Sequence, residues 1–206
     1  MGNLYVVRHG QTRSNAEGVI QGPRLDSGLS ELGQQQAAAL AEAFAETPLD
    51  ALYVSPMQRA RDTAHALVQH QDDVAPQVVP EMYELDYGAL CGQRLLDVEA
   101  EMGQVFDAWR LGFLDQRFPG GESANVAHGR VRAMAATLLA RAQHEDVAVV
   151  AHGRINRILL AALTGAPLSD QDRFPQDNAC ISHVEVASGL VVHRLNDTSH
   201  LGRHRS

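Results

Sequence analysis

The sequence predicts an α/β fold: a three-layer α/β/α sandwich with a mainly parallel, mixed central sheet and helices on both faces. Three observations carry this. Short apolar, β-rich runs recur at Leu4 to Val7, Ala51 to Val54 and Val147 to Ala151. Longer stretches bearing helix start and stop signals lie between them. Two last apolar runs, Ile181 to Val186 and Leu190 to Arg194, flank Ala187-Ser188-Gly189 as a hairpin. That hairpin makes the sheet mixed and predicts an antiparallel edge strand.

Taken in order, Leu4 to Val7 reads as a buried strand running into a loop at Arg8-His9-Gly10. Gln11 to Ser30 is polar and dotted with Gly and Pro, so it reads as loop. Ser30 is expected to cap a helix through about Glu46. After the strand Ala51 to Val54, Ser55-Pro56 predicts a helix start, Ser as N-cap and Pro at the first helical position, with the helix running to about His70. Asp72-Asp73 reads as a solvated helix end and Val78-Val79 as a third strand. Glu81 to Gly92 is irregular, and Leu95 to Phe113 is helical. Phe118-Pro119-Gly120-Gly121 breaks the pattern before Ser123 caps a long helix through about Gln143. The apolar strand Val147 to Ala151 ends at His152-Gly153. Ile155 to Leu163 is a helix closed by Gly165 and Pro167. Gly202 to Ser206 reads as a frayed basic tail.

A chain of 206 residues fits one domain spanning 1–206. It can bury a sizeable core without disulfides or structural metal. The net charge of -8 argues against nucleic acid as a partner. The two cysteines, Cys91 and Cys180, form neither a CxxC pair nor a disulfide framework, which points to a reducing, cytoplasmic setting. No apolar run approaches the roughly 18 residues of a membrane span. The N-terminus lacks the basic and apolar regions of a signal peptide. Position 6 is Val, against myristoylation of Gly2. No exposed apolar stripe can be read from sequence, so a homodimer stays open.

The candidate chemistry lies at strand ends. One strand ends in Arg8-His9-Gly10, another in Ser55, a later one in His152-Gly153. In open α/β sheets, ligands bind beyond the carboxyl ends of the strands, so these residues are expected to converge on one cleft. A lone histidine is most often structural, but two strand-end histidines each followed by Gly are harder to dismiss, since Gly permits close backbone approach. Arg59 stands one turn into a helix leaving the same sheet edge, where anions are favoured. With Arg8 it would present two guanidiniums to a tetrahedral oxyanion. The histidines near the C-terminus, His193, His200 and His204, lack metal-ligand spacing, and no metal or cofactor is called for. Trp109 reads as core or pocket wall.

The segment Leu4-Tyr5-Val6-Val7-Arg8-His9-Gly10-Gln11-Thr12 resembles the opening signature of the histidine phosphatase superfamily, the phosphoglycerate mutase-like family. Three further blocks match in order: Ser55 to Ala64, Glu84 to Gly88 and Val149 to Gly153. The resemblance spans nearly the whole chain, and four ordered blocks are far more specific than Arg-His-Gly alone. It implies that His9 is a nucleophile that becomes phosphohistidine, and that Arg8, Arg59 and His152 form the phosphate pocket. It also implies that Glu84 gives a proton to the leaving oxygen. Burial and the charge of the bound phosphate would favour protonated Glu84. Asn15 matches a phosphate contact in the loop after His9. Gln21, Gly22 and Gly153 match substrate-loop and pocket positions less specifically. The partner implied is a small phosphorylated substrate.

Within the family, the mutase pattern carries a Lys after the Glu and an Arg-Arg pair behind a Trp. This chain has Arg94 near the first place and Arg110-Leu111 behind Trp109. Its short Pro-Gly-Gly-Glu-Ser junction, 119–123, looks like the phosphatase branch. The reading is therefore a metal-independent phosphomonoesterase. A cofactor-dependent phosphoglycerate mutase and a non-catalytic phospho-ligand binder are the alternatives. The intact set of His9, Arg8, Arg59, Glu84 and His152 argues against the second.

Overall fold

Six strands make one sheet in the computed structural model, which describes residues 2–71 and 74–202. The expectations for Asp72-Asp73 and for the tail beyond Gly202 lie outside those residues. The strands are β1 (Asn3–Arg8), β2 (Ala51–Val54), β3 (Pro76–Val78), β4 (Val147–Ala151), β5 (Ile181–Glu185) and β6 (Val191–Asp197), ordered β3-β2-β4-β1-β5-β6. The first four pair in parallel, β5 runs antiparallel to β1, and β6 antiparallel to β5. The mixed sheet is thus as expected, with one correction. The strand that opposes the parallel set is the interior β5, while the edge strand β6 turns back into the common direction because a hairpin reverses the chain. β2 and β4 are buried along their whole length, as uninterrupted apolar runs require.

The helices are α1 (Arg13–Ala16), α2 (Glu31–Ala43), α3 (Gln58–Leu67), α4 (Leu95–Arg110), α5 (Ala124–Arg141) and α6 (Gly153–Thr164). Leu40, Phe44, Ala60 and Leu67 of and beside α2 and α3 pack on Val7, Leu52, Val54 and Val150. Val98, Trp109, Val131, Leu138 and Leu159 of α4, α5 and α6 pack on Leu4, Val6 and Val149 of the other face. Alternation along the strands sends neighbouring side chains to opposite layers. The chain steps outward from β1 over β2 to β3 on the α2/α3 face. It returns to β4 on the opposite face. β4 and β1 are neighbours, so a crevice opens beyond their carboxyl ends where the winding reverses.

Capping chemistry explains several boundaries. The Ser30 hydroxyl accepts the Gly33 N–H at 3.0 Å, and that of Ser123 accepts the Val126 N–H at 3.3 Å. Gly165 ends α6 at a left-handed φ of 68°. Other boundaries differ from expectation. α3 starts at Gln58 behind Met57, not at Ser55-Pro56. The Ser55 hydroxyl is bonded to His152 Nε2 at 2.6 Å and accepts the Met57 N–H at 3.3 Å, so it turns the chain ahead of the helix. The 11–30 loop contains α1, closed by a capping box between Thr12 and Asn15. α4 stops at Arg110, and β3 is an exposed three-residue strand one step earlier than Val78-Val79.

α2 touches the loop after His9 through bare backbone. A Cβ on Gly33 would stand 1.9 Å from the Gln11 carbonyl oxygen, and one on Gly10 would stand 2.6 Å from that of Gly33. Replacing a helical Gly with Ala ordinarily stabilises by about 1 kcal/mol. Gly33→Ala should instead lower the melting temperature and weaken activity by displacing the His9 loop. Gly103→Ala, in α4 with nothing within 4 Å, should raise it. Thermal melts of the two variants check the opposite signs.

Candidate active site

The β1–β4 pairing builds the centre of the site. Arg8 sits opposite Ala151, and the His9 N–H donates to the Ala151 carbonyl at 3.0 Å. His9 and His152, far apart in sequence, are thereby set side by side, their rings edge to face at 5.2 Å. The His9 Nδ1 lies 2.7 Å from the Gly10 carbonyl oxygen. A carbonyl only accepts, so Nδ1 carries the proton and the Nε2 lone pair is free. The His9 backbone is held on its far side, its carbonyl accepting from Ala179 N at 3.1 Å and Asn178 Nδ2 at 3.3 Å. The next residue is anchored to α3, the Gly10 N–H donating to Thr63 Oγ1 at 3.1 Å.

Arg59 lies directly beneath, 1% exposed. Its Nε donates to His152 Nδ1 at 3.2 Å, Nη2 to the Gly22 carbonyl at 3.0 Å, and Nη1 to Asp26 Oδ1 at 3.0 Å and the Leu25 carbonyl at 3.3 Å. It thus straps residues 22–26 over the crevice. Arg8 donates from Nη1 to the Gln176 carbonyl, while its Nε is buried without a protein partner. A buried unpaired donor beside a cavity calls for an acceptor. The cavity, about 230 Å³, is lined by Arg8, His9, Asn15, Gln21, Gly22, Arg59 and Glu84 at its polar end.

Other candidates take more specific places. The Asn15 Oδ1 accepts from Thr12 N at 3.1 Å and Asn178 Nδ2 at 3.3 Å, which leaves its amide N–H groups for a ligand. Gln21 lines the cavity, but its amide joins Thr12 Oγ1 at 2.8 Å and Ser27 Oγ at 3.0 Å. Gly22 has φ +57°, and a Cβ there would stand 2.9 Å from Cys91 Sγ, so its contribution is backbone shape. At Gly153 a Cβ would sit 3.3 Å from Arg8 Nε. His152 is fully buried and has both ring nitrogens engaged, Nδ1 accepting from Arg59 and Nε2 donating to Ser55. It therefore orients Arg59 in this state, rather than offering an N–H to the cavity.

Glu84 caps α6 from outside. Its Oε1 accepts from Ile155 N at 3.1 Å and Leu85 N at 2.8 Å, and its Oε2 from Arg154 N at 3.3 Å. A carboxylate at a helix N-terminus satisfies donors that the helix itself cannot. The segment carrying Glu84 is clamped by two residues that sequence reasoning did not select, Glu122 and Arg130. Arg130 meets Glu122 through two parallel bonds at 2.9 and 3.0 Å, donates to the carbonyls of Glu81 and Glu84, and lies 3.7 Å over the Tyr83 ring. Glu122 in turn accepts from Asp86 N at 3.0 Å. Removing one partner of so buried a pair typically costs about 3–5 kcal/mol. Gln176 and Asn178 were also missed, and nothing local in the sequence marks them.

Burial, then Arg59 and Arg8, holds the pKa of His9 well below its usual 6.5. Burial, then Arg59, does the same to His152. As pH falls through about 6.5 the unfolded chain takes up these protons and the folded chain does not. Their contribution to stability is therefore complete above that value and lost progressively below it. Urea melts from above pH 7 down to about pH 5 should show this loss, and His152→Gln should make the acid-side slope shallower.

A model of the histidine phosphatase superfamily (branch 1) matches residues 4–198. Phosphoserine phosphatase 1 of Hydrogenobacter thermophilus is 32% identical over 206 residues, covering 98% of this chain and 95% of its own. The protein named Probable phosphoglycerate mutase GpmB in Erwinia tasmaniensis is 32% identical over 210 residues, covering 96% and 94%. Among solved structures, a mycobacterial glucosyl-3-phosphoglycerate phosphatase superposes with a TM-score of 0.79 at 28% identity, covering 95% of this chain and 99% of that one. The α-ribazole phosphatase of Shigella flexneri, at 24% identity and a TM-score of 0.81, covers 95% of this chain and 96% of its own and shares the fold. With the family model matched over residues 4–198, and with the strand end that carries Arg8 and His9 at the sheet's switch point, the chain belongs to the histidine phosphatase superfamily.

Proposed function

We propose that the chain is a phosphomonoesterase that hydrolyses small phosphorylated metabolites through a phosphohistidine on His9. One observation carries this reading. His9 presents an unprotonated Nε2, its other nitrogen tied to Gly10, at the wall of a cavity that also holds two guanidiniums. Phosphoryl transfer needs positioning and charge stabilisation on the equatorial oxygens more than covalent machinery. Arg8, Arg59 and the Asn15 amide supply them, and the unpartnered Arg8 Nε is a donor waiting for a phosphoryl oxygen. Among the described residues no group of three or more His, Cys, Asp or Glu side chains is arranged to hold a metal ion.

In the first step His9 Nε2 attacks phosphorus, the ester P–O bond breaks, and protonated Glu84 passes its proton to the leaving oxygen. The Gly10 carbonyl then steadies the Nδ1–H of the phosphorylated ring. In the second step Glu84, now a carboxylate, takes a proton from water, whose oxygen attacks phosphorus as the N–P bond breaks and frees His9. His152 keeps Arg59 aimed at the bound group, its Nδ1 accepting from Arg59 Nε.

The mutase reading finds less support. Arg110 is paired with Asp107 and with Asp172 at 2.9 Å, and Arg94 is the exposed N-cap of α4. Neither lines the cavity. One continuous sheet supports reading 1–206 as a single domain. No helix of the described residues is long and apolar enough to cross a membrane. Both thiols are free, in keeping with a reducing, cytoplasmic setting.

Rapid quenching at alkaline pH with labelled substrate, followed by peptide mapping, should place an acid-labile, base-stable label on His9. His9→Ala should abolish label and turnover, whereas label on His152 or full activity of His9→Ala would overturn the mechanism.

Glu84→Gln should slow esters of poor leaving groups by about 10²- to 10⁴-fold and activated aryl esters much less. Equal losses across a leaving-group series would remove Glu84 as the acid.

A further inference from the structure

Opposite its phosphoryl end, the active cavity is walled by carbon. Val19, Ile20, Leu95 and Met102 line that end, and Tyr87 is also in the lining. Leu95 and Met102 are seven residues apart on one face of α4. Ile20 and Met102 are buried, and Leu95 is 45% exposed at the mouth.

This wall is rigid, and its backbone polarity is used up. The Leu95 N–H donates to the Gly18 carbonyl at 2.7 Å, the Ile20 N–H to the Gln93 carbonyl at 2.9 Å, and the Gly92 N–H to the Ile20 carbonyl at 2.7 Å. Residues 18–20 and 92–95 are thus stitched together, and what they turn to the cavity is side-chain carbon.

Arg94, the exposed N-cap beside Leu95, is not among the lining residues, and the other nearby cations are engaged elsewhere. Only Arg8 and Arg59 among the lining residues are cationic, and both stand at the phosphoryl end. Arg24 grips Asp86 through two bonds at 2.9 Å and also donates to the Gly120 carbonyl. Arg154 is bound to Asp172 at 2.7 Å and lies over the Phe106 ring. A carboxylate held against this wall would therefore be desolvated against carbon with no counter-charge in the lining around it, which is costly.

We infer that the leaving-group end of this site takes an apolar alcohol, so that alkyl and aryl phosphomonoesters are preferred over esters of carboxylated alcohols. The inference rests on the phosphomonoesterase reading and narrows it. The test compares kcat/KM for ethyl, butyl and hexyl phosphate, O-phosphoserine and 3-phosphoglycerate, with p-nitrophenyl phosphate as the activated reference. The alkanols are nearly equal leaving groups, so along that series only contact with the wall changes. The carboxylated alcohols are the better leaving groups, so intrinsic reactivity opposes the preference inferred.

The expected result is a rise of roughly fourfold per methylene while the wall is being filled. Hexyl phosphate should exceed both carboxylated esters by at least about tenfold. Leu95→Arg, at an exposed helix start that tolerates the longer side chain, should lower the hexyl-to-phosphoserine ratio by about tenfold or more. A flat or falling alkyl series, or carboxylated esters turned over as fast as hexyl phosphate, overturns the inference while leaving the phosphatase reading standing. Phosphate release from none of the esters, p-nitrophenyl phosphate included, overturns the phosphatase reading and the inference with it.

Discussion

A guanidinium taken out of water has to find acceptors, and the cleft is organised around those that Arg59 finds. Burial lowers its pKa, while Glu84 and Asp26 oppose that shift and help keep it charged. Its four acceptors come from two places: the 22–26 segment, with two carbonyls and the Asp26 carboxylate, and the ring of His152. One side chain therefore fixes the roof of the cavity, the tautomer of one histidine and part of the field that keeps the other neutral. An Arg-to-Lys change would lose this, because a single ammonium cannot span acceptors set in a fork.

Glu84 illustrates how one carboxylate can complete a helix and line a cavity at once. Its oxygens complete the first turn of α6, which otherwise has no side-chain cap, since His152 occupies the N-cap position and turns its ring to Arg59 and Ser55. The same arrangement aims the carboxylate at the cavity wall. The Glu122–Arg130 pair holds its backbone on both sides. The placement of Glu84 thus depends on a short junction and a helix, α5, whose Glu122 and Arg130 do not line the cavity.

The main lines of the fold were legible because the chain is locally consistent. Apolar runs too continuous for a one-sided strand became β2 and β4, and Ser30, Ser123 and Gly165 cap helices as their chemistry dictates. The departures have particular causes. Ser55 looked like a cap because Ser-Pro is a good helix start, but its hydroxyl was claimed by a histidine 97 residues away. No local pattern records such a bond. The strand-end residues His9, Arg8 and His152 could be placed from sheet topology alone, and Glu84 only through family resemblance. Glu122, Arg130 and Gln176 act through contacts over long separations, two of them through backbone carbonyls, so neither spacing nor composition could single them out.

The sheet order has a consequence for how the molecule is made. β1 leads into His9 and leaves the ribosome long before its two neighbours, β4 and β5. Until residues 147–185 have been synthesised, the strand has no edge to join, and its apolar residues Leu4, Val6 and Val7 must wait without their native cover. Non-local pairing of this kind is slow and leaves sticky surface exposed in the interval. The crevice is consequently a late event in biosynthesis: a nascent chain truncated before β4 would hold Arg8 and His9 but lack the strand that sets His152 beside them.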